Sequence, residues 1–178
     1  MTSIPPFDKH GNLPVGDLFQ SGAQRLTLLD VTLQDVHDRF VAQFPKSNTR
    51  PGIWDGWMRH RQDLDAFGIP YATMVNGSFV TMKEDPGDVD ICLVMEADSI
   101  NQLEASDRGQ FEALRKLTDT SYTKLLYLCD TYLLRLYPMS SPRFPLVPRG
   151  FTYWARVFGT DRRNRPKNFL LVTQRGVV

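Results

Sequence analysis

The chain has 178 residues, of which 42% are hydrophobic and 23% charged, and this is enough apolar material for the core of one globular domain. The composition excludes a disordered tail, a collagen-like fibre and a small disulfide-stabilised domain. No apolar stretch reaches the ~18 residues that a membrane-spanning helix needs, and the amino terminus lacks the pattern of a secretory signal. We therefore expect a cytoplasmic protein with no membrane partner, in which Cys92 and Cys129 are reduced core residues.

The charge is divided unevenly along the chain. Residues 1–137 carry a net charge of −6 and residues 138–178 a net charge of +7, for a total of +1. A basic segment attached to an acidic body indicates a polyanionic partner, either a nucleotide or a nucleic acid. A solvent-exposed basic loop without a partner is the simpler alternative.

The amino-terminal segment differs in pattern from the rest of the chain. Residues 1–30 are rich in Pro, Gly and Asp and show no period, so we expect an irregular arm. Residues 31–178 then form a single domain that includes the basic segment 138–178. Thr32, with Asp35 three residues later, predicts a capping box at the start of a helix ending at Pro45.

Further helices and strands follow in turn. A second helix is predicted from about Thr49 to Gly68, and a third around Phe111 and Leu117, after a polar stretch at 97–108. The predicted strands are Tyr71–Asn76, Val89–Met95, Lys124–Tyr137 (with a buried helix as the alternative) and Asn168–Thr173.

Prolines dominate the segment after the third strand. Pro142, Pro145 and Pro148 are expected to prevent regular structure there. A short helix is predicted at Phe151–Phe158, followed by a turn at 162–167.

One motif points to chemistry. Gly77 and Ser78 end a predicted strand, and nine residues later Asp88, Val89 and Asp90 begin the next one. Strand alternation places the two carboxylates on one face, and a divalent cation with oxygen ligands, such as Mg²⁺, would offset their repulsion. A glycine turn lets the backbone approach a ligand, and its N–H groups can bind phosphate oxygens. These parts predict a metal-assisted phosphoryl or nucleotidyl transfer site.

The Gly-Ser pair, the nine-residue spacing and the Asp-x-Asp motif resemble the signature of the polymerase-β-like nucleotidyltransferase superfamily. The segment 76–90, together with Tyr153-Trp154 and 158–167, is also similar to a small, poorly characterised bacterial and phage family of nucleotidyltransferase-like proteins. The resemblance implies an α/β (α+β) fold of the polymerase-β-like type, with a mixed central sheet flanked by helices.

The resemblance also implies a set of site residues. Two Mg²⁺ ions, or Mn²⁺ in their place, would be held by the catalytic acids Asp88, Asp90 and Asp130. The nucleotide-binding residues would be Gly77, Ser78, Lys83, Arg162, Arg163 and Lys167. For Asp130, an acid within an apolar run, pairing with a buried arginine is the structural alternative. The acidic Glu84 and Asp85 would have to point away from bound phosphates.

The implied reaction moves a nucleoside monophosphate from an NTP to a hydroxyl of a macromolecule. The acceptor would be a tRNA-like RNA 3′ end or a protein, in a toxin–antitoxin or phage-defence setting with a possible cognate partner protein. The main alternative is a catalytically inactive module of the same fold that binds nucleotide, RNA or a partner protein. Superfamily members often have an Arg near the position of Thr81, and its absence here favours that alternative.

Overall fold

The computed structural model describes residues 4–15 and 29–173. Within them, a five-stranded mixed sheet has the order β1-β5-β2-β3-β4. Strand β2 runs antiparallel to both its neighbours, whereas β1 with β5 and β3 with β4 are parallel pairs. The strands are β1 (Leu29–Val31), β2 (Tyr71–Asn76), β3 (Val89–Glu96), β4 (Cys129–Leu136) and β5 (Leu170–Thr173). The predicted α+β class with a mixed sheet is confirmed.

Six α-helices surround the sheet in the described part of the chain. Helix α1 continues directly into a π-helical turn at Asp38–Ala42. The helices are α1 (Leu33–His37), α2 (Arg50–Asp65), α3 (Ala97–Ser106), α4 (Arg108–Leu117), α5 (Thr120–Tyr127) and α6 (Leu146–Phe158). None of them is long and apolar enough to cross a membrane.

Two apolar clusters cover the two faces of the sheet. The larger contains side chains of helices α1 to α5, and the smaller contains side chains of α6. Along β3, Ile91 and Leu93 belong to the larger cluster, whereas Cys92 and Val94 belong to the smaller. Because strand side chains alternate, Asp90 lies on the face that α6 covers.

The strand register brings three polar residues together at one edge of the sheet. Asn76 pairs with Asp90 across β2 and β3, and Asp90 pairs with Asp130 across β3 and β4. The antiparallel β2 ends at the edge where the parallel β3 and β4 begin. The Gly-Ser pair and the three acids therefore meet at this edge.

Several local predictions are confirmed. Thr32 accepts a hydrogen bond from the backbone N–H of Asp35, whose side chain accepts one from the backbone of Thr32, as in a capping box. Strand β2 has the predicted bounds, and helix α2 begins after Thr49.

The predicted strand Lys124–Tyr137 is wrong in its first part. Residues up to Tyr127 belong to α5, and the chain turns through Leu128, with φ of 56°, into β4 at Cys129. The continuous apolar pattern hides this boundary, because a left-handed leucine gives no glycine signal.

Three further predictions need correction. Helix α6 begins at Leu146 and contains Pro148 at its third position, where the missing N–H has no intrahelical partner in any helix. The stretch at 97–108 is mostly helix α3, which buries only Ala97 and Ile100 and so shows little hydrophobic period. Strand β1 begins at Leu29, inside the segment expected to be irregular; residues 1–3 and 16–28 of that segment lie outside the described residues.

Candidate active site

The structure brings all nine sequence-predicted site residues to one cleft of about 490 Å³. The cleft lies at the sheet edge described above, between the strand ends and the loop that follows α6. The predicted residues that line it are Gly77, Ser78, Lys83, Asp88, Asp90, Asp130, Arg162, Arg163 and Lys167.

One wall of the cleft is acidic. The pKa of the Asp90 carboxyl is raised to about 6, mainly by burial and further by the negative charges of Asp88 and Asp130. The positive charges of Lys167 and Lys124 oppose this shift only in part. The negative charge of the three acids therefore exceeds the positive charge of the two lysines beside them.

Lys124 is a site residue that the sequence analysis did not find. Its Nζ lies 2.7 Å from Oδ2 of Asp88 and 3.0 Å from Oδ2 of Asp130. The partner of Asp130 is thus a half-exposed lysine and not a buried arginine. The predicted strand at this point concealed Lys124, which approaches the acids because it lies on helix α5.

Gly77 allows the backbone to pass close to the acidic wall. Its φ is +79°, in the left-handed region, and a Cβ atom at this position would overlap the Asp90 carboxylate. The Gly77 carbonyl accepts a hydrogen bond of 3.3 Å from Nζ of Lys167. Lys167 is buried, and this burial lowers its pKa to about 8, against the raising effects of Asp90 and Asp161.

The opposite wall is basic, and the loop after α6 forms it. Asp161 organises this loop: its side chain accepts hydrogen bonds from Asn12, from the backbone of Arg163, and from Arg165, whose Nε lies 2.6 Å away. These bonds hold the pKa of Asp161 well below its usual range. Arg162 and Arg163 remain exposed, and in the described residues neither side chain pairs with an acid.

Arg50 holds the connection between β2 and β3 in place. Its buried guanidinium donates hydrogen bonds to the backbone carbonyls of five residues, Phe40, Phe79, Thr81, Lys83 and Glu84. Its burial lowers the pKa of Arg50 to about 10, so the group stays charged at neutral pH.

The acidic side chain of Asp85, in the same connection, points away from the cleft. It accepts hydrogen bonds from the Ser47 hydroxyl and the Asn48 backbone, at 3.0 and 2.7 Å. Neither Asp85 nor Glu84 lines the cleft. Phosphate binding required Glu84 and Asp85 to point away from the bound phosphates, and both acids lie outside the cleft.

The donor atoms of the acidic wall fit a hard divalent cation. Carboxylate and amide oxygens are the ligands that Mg²⁺ prefers. Two buried oxygens here, Oδ1 of Asp130 and Oδ1 of Asn76, have no hydrogen-bond partner among the described residues. Among the described residues, however, no three acids, histidines or cysteines are already arranged to hold a metal ion. The ammonium of Lys124 lies between two of the acids.

Comparison with known proteins identifies one family. A family described as of unknown function, DUF6932, matches residues 5–173. No curated protein and no solved structure matches the chain.

Proposed function

The chain belongs to DUF6932, a family of unknown function, and we propose that it is a Mg²⁺-dependent nucleotidyltransferase with the polymerase-β-like fold. One observation carries the proposal. Three carboxylates at the ends of adjacent strands face a basic loop across one cleft. Gly77, which also lines the cleft, lets the backbone pass directly beside the Asp90 carboxylate. This segregation of charge suits a metal–triphosphate, whose cation lies near the acids and whose phosphates lie near the bases.

Each group has a role in the proposed reaction. Asp88, Asp90 and Asp130 would hold the Mg²⁺, which would neutralise phosphate charge and favour ionisation of the acceptor hydroxyl. Backbone N–H groups after Gly77 and the Ser78 hydroxyl would bind phosphate oxygens. Lys83, Arg162, Arg163 and Lys167 would balance the charge of the triphosphate.

The bond changes are those of an in-line displacement. The acceptor oxygen forms a bond to the α-phosphorus while the bond from that phosphorus to the β-phosphate oxygen breaks, and pyrophosphate leaves. The hydroxyl proton passes to a carboxylate of the acidic wall. We assign this step to Asp130, because its Oδ1 is free of hydrogen-bond donors among the described residues.

The surface beside the cleft favours RNA over a protein as the acceptor. On helix α6, Arg149, Tyr153 and Arg156 are exposed and spaced three and four residues apart, so they share one face. Tyr153 is 60% exposed, and Arg162, in the loop after this helix, lines the cleft. Arginines around an exposed aromatic ring suit a single strand, whose phosphates and bases they can contact.

The test is transfer of label from each α-³²P NTP into cell RNA or protein, with Mg²⁺ and with Mn²⁺. The variant Asp88→Asn/Asp90→Asn should lose at least roughly 100-fold in activity, because it removes the cation ligands. A matched control is Glu104→Gln/Glu112→Gln, which removes the same charge from the exposed Glu104 of α3 and the half-buried Glu112 of α4, both outside the cleft. We expect label in RNA with the wild type and with the control, and none with Asp88→Asn/Asp90→Asn. The absence of label in every fraction would contradict the proposal.

One observation favours a second candidate, a module that binds nucleotide, RNA or a partner protein without catalysis. The ammonium of Lys124 already pairs with both Asp88 and Asp130 and occupies the place between them. Under this candidate, wild type and Asp88→Asn/Asp90→Asn would bind RNA equally well, and neither would transfer label.

A further inference from the structure

Helix α5 delivers Lys124 to the acidic wall. The side chain of Asp119 caps the start of the helix by accepting a hydrogen bond from the Tyr122 backbone, and the turn at Leu128 ends it. This short helix lies next to the start of β4, so that Lys124, six residues before Asp130, points its ammonium back to that acid. The position of the ammonium follows from the local fold and does not depend on a distant loop.

The ammonium lies where a cation shared by Asp88 and Asp130 would have to lie. Its two contacts, at 2.7 and 3.0 Å, are to one oxygen of each carboxylate. A lysine ammonium is charged at neutral pH, so at this position it acts as a counter-ion to both acids.

At a second place in the same cluster, no ammonium contacts the carboxylate directly: Lys167 is bonded to the Gly77 carbonyl and acts on Asp90 only through its charge. Asp90 forms no ion pair with any described residue, and its register neighbour Asn76 is 1% exposed. Oδ1 of Asn76 is buried in the cleft wall without a hydrogen-bond partner among the described residues. The amide oxygen of Asn76 and the carboxylate of Asp90 together offer oxygen ligands of the kind that a divalent cation prefers, and the Nδ2 of Asn76, bonded to the Phe158 carbonyl, fixes the orientation of the amide.

We propose that Lys124 fills one of two cation positions in the cluster, so that the wild-type protein takes a single divalent cation, beside Asp90 and Asn76. The charges favour one cation over two. Three carboxylates and the ammoniums of Lys124 and Lys167 sum to −1, a negative charge that attracts one divalent cation, whereas loss of the Lys124 ammonium leaves Asp88 and Asp130 as an unbalanced pair with room for another. This inference rests on the proposed cation site and changes the expected number of metal ions from two to one.

The test counts bound Mn²⁺ on the full chain without nucleotide, from the loss of the free-ion EPR signal. The wild type should bind one Mn²⁺ per chain, and Lys124→Met should bind two. Lys124→Arg keeps the positive charge and should return the count to one. Lys116→Met, which removes an exposed lysine from α4, is the matched control and should also bind one. Circular dichroism confirms that each variant is folded.

A wild-type count of zero or two, or a Lys124→Met count still at one, would overturn the inference. Because the assay uses no nucleotide and no turnover, it separates two failures. A protein that shows these ion counts but transfers no label would refute the transferase and leave the role of Lys124 intact. A protein that transfers label with a wild-type count of two would refute the role of Lys124 alone.

Discussion

Asp90 lies among like charges, and its environment disfavours its ionised form. Burial and the neighbouring Asp88 and Asp130 raise its pKa to about 6 from a usual 3.8. Between those two pH values the folded protein binds more protons than the unfolded chain. The free energy of unfolding should therefore fall as pH rises through this window and stay level above it.

Replacing Asp90 with Asn should stabilise the protein without metal. The amide carries no charge, so the free energy of unfolding near neutral pH should rise by up to about 3 kcal/mol, and the slope between about pH 4 and 6 should flatten. Urea denaturation across this pH range measures both effects. Asp55→Asn, on the exposed side of α2, is the control, and a similar gain from it would show that only net charge matters.

Gly77 is required for two separate reasons, and two alanine variants separate them. Gly77→Ala places a Cβ both in left-handed backbone and against Asp90, whereas Gly68→Ala, with φ of +64°, meets no atom within 4 Å. Each should lower the free energy of unfolding by about 1–2 kcal/mol. Only Gly77→Ala should also weaken Mn²⁺ binding, by about ten-fold or more, because it displaces a ligand. Equal Mn²⁺ affinities in the two variants would show that the close approach to Asp90 has no role.

At the scale of helices and strands, the features that depend on a local residue pattern were predictable from the sequence. The Asp-x-Asp motif fell on a strand that the alternation rule could orient, so the grouping of Asp88 with Asp90 was predictable. Lys124 was not, because the boundary between α5 and β4 lies inside one apolar run and depends on a leucine in left-handed conformation. An error in one element thus concealed one residue of the site.

The role of Arg50 was equally invisible in the sequence. Its partners are backbone carbonyls, which every residue has, so no residue pattern identifies them. Only the fold brings the carbonyls of the β2–β3 connection and that of Phe40 around one guanidinium, which also stacks on Phe44 at 3.7 Å.

Arg50→Lys should loosen this whole connection. An ammonium has three donors and cannot replace five hydrogen bonds in a planar fork, so buried carbonyls would lose their partners. We expect the free energy of unfolding to fall by about 3 kcal/mol. Hydrogen exchange at 77–88 should accelerate more than at α4. Arg59→Lys, an exposed residue with one carbonyl partner, should cost less than about 0.5 kcal/mol. Unchanged exchange at 77–88 would show that the connection does not depend on Arg50.

At the scale of the whole molecule, the uneven charge along the chain becomes a division between surfaces. Arginines of α3–α4 are neutralised, since Arg108 pairs with Glu104 and Glu112, and Arg115 pairs with Glu112. In the described residues from 138 onward, the single acid, Asp161, is already bound to Arg165. The exposed arginines of α6 therefore keep their full charge for a partner.

Salt dependence distinguishes these two sets of arginines. If α6 guides a single-stranded RNA to the cleft, the logarithm of its binding constant should fall linearly with the logarithm of salt concentration. Arg149→Gln/Arg156→Gln should reduce that slope by up to about 1.4, since each lost phosphate contact on a single strand removes about 0.7. Arg108→Gln/Arg115→Gln makes the same change in net charge but should leave the slope unaltered, because Glu104 and Glu112 already neutralise those residues. Fluorescence anisotropy of a labelled oligonucleotide measures all three proteins. Equal slopes for the two double variants would show that RNA binding depends only on the net charge of the protein and that the RNA does not bind along α6.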